Sequence, residues 1–316
     1  MTLRAGLLTA GRAAALLTLA VLWVALTPGE LLAWTPATHI HLGEAVLRSL
    51  ALLPAGTAAL LRTFPQDFLY GSIAADTSMA KKYAPAGRHC HSWAVGFEIY
   101  GGARDESLRA FALGYLSHLA ADVVAHNFFV PRQLTVTSST SALGHSYWES
   151  RFETHLGDAA ARRARDVILL DHSRADAHLD SILSPTIFST STNRRLFRGM
   201  VHVTDSESWQ RIYRIMAENS RWGLSRPEVE GHLTRSFEYV MDLLDRLDRS
   251  ESYQFDPSGD DALRLAKRLR RASMRRGGDP FVREEAERHF GLPASALTHA
   301  ATLEIPLYPA ARDASS

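Results

Sequence analysis

The chain has 316 residues, of which 46% are hydrophobic and 22% charged, and its formal net charge is +1. This composition can bury a large core and excludes wholesale disorder, and the near-neutral charge gives no general attraction to nucleic acid or to an anionic surface. A single cysteine excludes an internal disulfide and a thiolate-rich zinc site. Any metal must therefore be held by His, Asp or Glu, and eight of the 14 histidines fall between residues 39 and 155.

The first 33 residues have the order of regions that is typical of a secretory signal peptide. Arg4 and Arg12 precede an apolar run over residues 13–26, which a Thr-Pro-Gly turn ends. The run is shorter than the roughly 20 apolar residues of a membrane-spanning helix, which favours a cleaved signal peptide, and an uncleaved membrane anchor is the alternative. We predict a secreted or periplasmic protein that is cleaved after Ala33, with Trp34 as its mature N-terminus.

Helical periodicity dominates the rest of the chain and predicts an all-α fold, with one multi-helix domain over residues 34–316. The predicted helices cover residues 40–53, 108–130 (ended by Pro131), 147–170, 206–219, 227–249, 260–276 and 279–290. Predicted loops cover residues 77–88, 135–144, 172–195 and 250–259, and weak strand signals occur at 134–137 and 186–188. The segment after residue 160 carries no catalytic motif and is expected to be a helical extension to about residue 300.

The strongest motif is His118-Leu-Ala-Ala-Asp122-Val-Val-Ala-His126. Residues four apart lie on one helix face, about 6 Å from each other, so three ligand-type side chains form one stripe of an otherwise apolar helix. A carboxylate buried there is costly unless it is paired or binds a cation. The pattern favours a metal site, and a structural hydrogen-bond network is the alternative.

Two further motifs place ligand-type residues upstream and downstream of this helix. His145 and Glu149 are again four residues apart, a spacing that also suits a surface charge pair. In Arg88-His-Cys-His-Ser-Trp93, an extended backbone would point His89 and His91 to opposite sides, so that only one reaches a shared site.

The two remaining motifs lie nearer the N-terminus. Asp76 follows a run of small residues and could equally be a turn or capping residue. Trp34 and His39 are five residues apart, and an α-amino group freed at Trp34 would lose its proton readily near a cation.

These five motifs, in this order over residues 34–155, resemble the zinc-dependent phospholipase C family, whose fold the single-strand-specific fungal nucleases share. The resemblance implies three zinc ions and nine ligands: Asp76, His89, His118 and Asp122; His126, His145 and Glu149; and Trp34 and His39 with Asp122 as a bridge. His91 is the alternative to His89. The phospholipases and nucleases have their next His six residues after the helix Asp, whereas His126 lies four after Asp122, which looks closer to the glycosylphosphatidylinositol phospholipase D branch.

The resemblance implies hydrolysis of a phosphodiester, most simply of a glycerophospholipid, by water that zinc activates, with Asp76 to orient or deprotonate that water. A basic helix over residues 263–276 suggests contact with a membrane surface, or else a solvated face. The rival interpretations are a nuclease or nucleotidase, cleavage of the phospholipase D type, and a zinc-binding protein without activity. Nucleic acid is a partner only under the first of these, and the sequence does not indicate an oligomeric state.

Overall fold

The computed structural model describes residues 34–78, 84–85, 88–137, 141–186, 189–204, 211, 215, 219–220, 222–276, 279–303 and 306–308. Within these residues the fold is all-α, as predicted, and contains no strand. The α-helices are α1 (Pro36–Arg48), α2 (Ala55–Thr63), α3 (Pro65–Ala74), α4 (Trp93–Gly101), α5 (Glu106–Val124), α6 (Val130–Val136), α7 (Ser141–Glu153), α8 (Asp158–Ile168), α9 (Ser173–Asp180), α10 (Thr190–Thr204), α11 (Arg226–Arg246), α12 (Asp260–Arg276) and α13 (Asp279–Phe290). The shorter turns are 3-10 at Leu50–Leu52, Ala75–Thr77, Leu247–Arg249, Glu251–Gln254 and His299–Thr302, and π-helical at Ala125–Phe129.

Helix α5 is the centre of the fold. Its side chains are buried without interruption from Ala110 to Val124, and it packs against α3, α4 and α11. The segment Glu106–Val136 is long and apolar enough to cross a membrane by length and composition, but 89% of its most apolar window is buried inside the protein. Its apolar character is therefore that of a core helix.

Helices α3 and α5 cross at very short range because each contributes a glycine to the crossing. A Cβ added to Gly114 would lie 2.9 Å from the Cα of Gly71 and would overlap the carbonyl oxygen of Phe68. A Cβ on Gly71 would in turn overlap the carbonyl oxygen of Phe111. The missing side chains let the two backbones touch, which brings the turn after α3 next to the ligand-bearing face of α5.

Pro131 does not end the central helix, contrary to the prediction. The backbone widens into the π-helical turn Ala125–Phe129, and helix α6 then continues with Pro131 in its first turn. The π-helical turn shifts the hydrogen-bond pattern, with the N–H of Val130 donating to the carbonyl of Ala125 five residues back, and the helix continues through Pro131. The weak strand signal at residues 134–137 is consequently wrong, since α6 extends to Val136.

Two other boundaries differ from the prediction. The expected helix over residues 147–170 is two helices, because the chain turns after Glu153 and Gly157 adopts a φ of 77° before α8 begins. The expected loop over residues 172–195 contains α9 and the start of α10. The expected helix over residues 206–219 and the strand signal at 187–188 lie largely outside the described residues.

The C-terminal helices pack onto the same core. Helix α11 lies along α5, whereas α12 and α13 lie against α6 and against each other. The predicted helices at 227–249, 260–276 and 279–290 are confirmed, apart from a 3-10 turn at the end of the first.

Candidate metal centre

Five ligand-type side chains from four parts of the chain converge at the middle of α5. His118 and Asp122 come from α5, His39 from α1, Asp76 from the 3-10 turn after α3, and His91 from the loop before α4. All five side chains are buried. The two oxygens of Asp122 lie 3.0 Å from Nε2 of His118, 3.1 Å from Nε2 of His91 and 3.2 Å from Nε2 of His39.

Asp76 completes this first group. Its carboxylate lies 3.3 Å from Nε2 of His91 and 3.9 Å from Nε2 of His118. The small residues before Asp76, among them Gly71, allow α3 to lie against α5, so the turn at its end delivers the carboxylate into the core. The rings of His39 and His118 stack with their centroids 3.9 Å apart.

A second group lies one helical turn further along the chain. His126 in the π-helical turn meets His145 and Glu149 of α7, and one ligand atom from each lies within 4.8 Å of the others. Nε2 of His145 is 2.7 Å from the Glu149 carboxylate. The ring centroids of His91 and His126 are 6.3 Å apart, so the two groups adjoin each other.

Backbone carbonyls fix the tautomers of two of these histidines. Nδ1 of His118 lies 2.9 Å from the carbonyl oxygen of Ser72, and Nδ1 of His126 lies 2.6 Å from that of Pro257. A carbonyl only accepts, so each Nδ1 must carry the hydrogen. In the neutral ring, the lone pair is then on Nε2, which is the arrangement that metal-ligating histidines use.

The electrostatics of the first group favour an ionised Asp122 carboxylate beside a neutral His39 imidazole. Burial alone would raise the pKa of Asp122, but the imidazoles of His118, His39 and His91 outweigh it and hold that pKa well below its usual range. Burial, assisted by the nearby His118, lowers the pKa of His39 to about 4.

The donor set fits zinc. Nε2 of His118 and Nε2 of His91 are 3.0 Å apart and both lie within about 3.1 Å of the same Asp122 oxygen. Such crowding of nitrogen lone pairs and carboxylate oxygens in a buried pocket suits a divalent cation, and imidazole with carboxylate is a common zinc ligand set.

The structure brings His91, rather than the predicted His89, into the first group. The half-buried ring of His89 turns back on its own loop, where its Nδ1 accepts a hydrogen bond from the backbone N–H of His91 at 3.1 Å. The hydroxyl of Tyr115 donates to the carbonyl of Cys90 at 2.7 Å and so holds this loop against α5. The extended-strand alternation left either histidine possible, and the contacts with α5 decide between them.

Trp34 lies beside the same helix. Its buried indole N–H donates to the carbonyl of Ala121, the neighbour of Asp122, and its ring packs on Phe129 and Phe152. Ligation by its α-amino group depends on cleavage before residue 34 and stays a prediction.

Two functional groups that the sequence does not predict are backbone carbonyls. The carbonyls of Ser72 and Pro257, which fix the tautomers of His118 and His126, carry no residue-type signal. Residues 255–259 also lie more than 100 positions after the last ligand motif, in a segment where no functional motif was expected.

One comparison with known proteins covers the segment that carries these ligand groups. A model of the zinc-dependent phospholipase C family matches residues 38–193, a range that contains His39 and both ligand groups. No curated protein and no solved structure gives a match. Through residues 38–193, the chain belongs to the zinc-dependent phospholipase C family.

Proposed function

We propose that this protein is an exported, zinc-dependent phospholipase C that hydrolyses glycerophospholipids. The observation that carries the proposal is the pair of adjoining ligand groups, all buried, within the segment that belongs to the phospholipase C family. Such closely spaced groups suit ions that contact both non-bridging oxygens of one phosphodiester.

Each group offers enough donors for one ion, and Asp122 would serve two. Asp76, His91, His118 and Asp122 would hold the first ion, and His126, His145 and Glu149 the second. His39, Asp122 and the processed N-terminus at Trp34 would hold a third. When bound, zinc supplies Lewis-acid stabilisation of charge on the phosphate and makes water more acidic.

The protein's own residues then orient the reactants. Asp76, whose carboxylate lies at the edge of the first group, is the candidate to orient the attacking water and accept its proton. Next to the centre, the rings of Trp93, Phe97 and Tyr253 lie 5.5–6.3 Å apart. Tyr253 is 40% exposed, so this cluster offers an apolar surface to an acyl chain.

Export is inferred from the sequence of residues 1–33, which lie outside the described residues. The expected mature chain begins with Trp34, and N-terminal sequencing of the exported protein tests this. A first residue other than Trp34 would remove the amine from the proposed third site and leave the other two.

The activity is tested on the exported protein after measurement of its zinc content. We expect hydrolysis of phosphatidylcholine to diacylglycerol, loss of activity with a chelator and recovery with added zinc. Phosphatidate as the product would move the cleaved bond to the other side of the phosphate. Preferential cleavage of single-stranded DNA would favour a nuclease, and a zinc-loaded protein inactive on all these substrates would be a binding protein.

A further inference from the structure

A loop outside the family-matched segment makes consecutive contacts with the metal centre. Residues 255–259 connect the Glu251–Gln254 turn to α12, and we call them the carbonyl loop. Three successive backbone carbonyls of this loop each accept a hydrogen bond from a side chain: Phe255 from Trp93 at 2.8 Å, Asp256 from Asn127 at 2.8 Å, and Pro257 from His126 at 2.6 Å.

The donors to this loop belong to the elements that build the centre. Trp93 follows His91 by two residues, and Asn127 follows His126 directly in the π-helical turn. The ring of Phe255 also packs edge-on against Phe128, with centroids 5.3 Å apart. The carbonyl loop therefore connects the loop that carries His91 to the turn that carries His126.

Gly259 lets the loop approach His126 this closely. Its φ is +60°, a left-handed conformation that side chains rarely adopt. A Cβ at this position would lie 2.7 Å from the carbonyl carbon of His126 and would overlap its Cβ and carbonyl oxygen. Both the backbone conformation and the available space therefore require glycine here.

We propose that the carbonyl loop is a positioning element for the second metal group, in which Pro257 holds the hydrogen of His126 on Nδ1 and turns Nε2 toward His145 and Glu149. The inference rests on the proposed zinc function. Without the Pro257 carbonyl, the imidazole can rotate or change tautomer, and a ligand that has lost such an outer partner binds its metal typically 10–100-fold more weakly.

The variant Gly259→Ala tests this, with Gly157→Ala as its matched control. Gly157 also has a positive φ, of +77°, with a ψ of 168° that is essentially restricted to glycine, but nothing lies within 4 Å of the added Cβ, so the control carries backbone strain without the contact. We expect Gly259→Ala to lower the zinc affinity of the second group at least about tenfold, and Gly157→Ala to leave it within about twofold of the wild type.

A second variant and a spectroscopic readout guard against simple misfolding. Trp93→Phe keeps an aromatic ring but removes the donor to Phe255, and we expect a smaller loss of zinc affinity in the same group. In ¹⁵N-histidine spectra, the Nδ1–H signal that disappears in His126→Gln should be present in the wild type and in Gly157→Ala but lost or shifted in Gly259→Ala.

The outcomes separate this inference from the proposed function. Equal zinc affinities in Gly259→Ala and Gly157→Ala, with an unchanged Nδ1–H signal, would overturn the role of the carbonyl loop and leave the metal centre intact. A wild-type protein that binds no zinc would overturn both.

Discussion

His89 and His91 lie two residues apart in one loop, yet only the imidazole of His91 lies among the acids of the centre. Nε2 of His91 is within 3.3 Å of Asp76 and of Asp122, whereas Nδ1 of His89 accepts a hydrogen bond from the backbone N–H of His91. We therefore expect His91→Ala to weaken zinc binding at the first group by at least about 100-fold and to abolish hydrolysis, because it removes a ligand rather than an outer partner.

His89→Ala is the matched control for this prediction, and we expect its zinc affinity and activity to stay within about threefold of the wild type. A competition titration against a fluorescent zinc chelator measures both variants. If His89→Ala lost zinc and His91→Ala kept it, the assignment of the first group would be reversed.

A histidine outside the centre is expected to make the protein sensitive to acid. His232 on α11 is buried against Phe129, and its Nδ1 donates to the Glu228 carbonyl. Burial lowers its pKa from 6.5 to about 4. As the pH falls through 6.5, His232 takes up a proton in the unfolded chain. In the folded chain it stays neutral until the pH reaches about 4. Its contribution to stability is therefore complete above 6.5 and is lost between 6.5 and 4, by up to about 3 kcal/mol.

His232→Leu keeps a similar volume and removes this titration. Denaturant unfolding of zinc-free wild type and variant between pH 7.5 and 4 should show a smaller decrease in the free energy of unfolding for the variant, since all other histidines are common to both. Parallel pH profiles would show that His232 is not the group responsible.

At the scale of the elements, the crossing of α3 and α5 decides whether Asp76 reaches His118. Gly114→Ala adds a Cβ that overlaps the carbonyl of Phe68 and must push the helices apart. We expect a destabilisation of at least about 2 kcal/mol, together with weaker zinc binding at the first group, because overpacking against backbone leaves no side chain to move aside.

Gly56→Ala is the control for that variant. Gly56 is the second residue of helix α2 and has nothing within 4 Å of an added Cβ, so alanine there should stabilise the protein by about 0.5 kcal/mol, chiefly by restricting the unfolded chain. Calorimetric unfolding of the two variants would give opposite shifts in Tm. A neutral Gly114→Ala would mean that the helices cross further apart than the structure places them.

The sequence predicted the fold where the periodicity was long and failed where the chain turned. α11–α13 were predictable because each keeps one apolar face over three turns or more, and α5 because its apolar run is too long for a strand. α2 and α3 are short and are bounded by Pro54 and Pro65, so neither presents enough periodic residues to be recognised. Pro131 did not end the helix because the preceding π-helical turn shifts the hydrogen-bond pattern, and the sequence alone does not show such a turn.

The metal centre was predictable to the extent that its ligands share a helix. His118 with Asp122, and His145 with Glu149, follow from the four-residue spacing alone. The choice between His89 and His91 does not follow from spacing, because it depends on how the loop that carries them packs against Tyr115 of α5. The roles of Ser72 and Pro257 depend on backbone carbonyls, which any residue type could provide.

At the scale of the whole molecule, the basic helix α12 begins at the edge of the metal centre. It starts directly after Gly259, which packs on His126. Arg264 pairs with Asp260 and Asp261, whereas Lys267, Arg268 and Arg271 are exposed and form no ion pair that the described residues show. These three cations lie further along α12 from Gly259, and each such cation contributes about 1 kcal/mol at an anionic membrane surface.

Reversing these three charges together (Lys267→Glu, Arg268→Glu and Arg271→Glu) should therefore weaken binding to vesicles that contain anionic lipid by at least about 100-fold. Vesicle sedimentation measures the binding, and hydrolysis of a short-chain phosphatidylcholine below its micelle concentration measures the centre itself. We expect the rate of hydrolysis of the short-chain phosphatidylcholine to be unchanged, because a monomeric substrate presents no charged surface. The matched control reverses three other exposed arginines: Arg62 on α2, and Arg104 and Arg109 around the start of α5. The start of α5 is the end of that helix that lies away from His126.

The pattern of losses decides between a docking surface and a solvated face. A loss on anionic vesicles that disappears in high salt, and that the control variant lacks, places the membrane contact on α12, because screening removes attraction between exposed charges. Equal losses in the two variants would reflect net charge alone. A loss of the monomer rate would mean that the substitutions disturb residues 255–259, since these residues lead into α12 and contact His126.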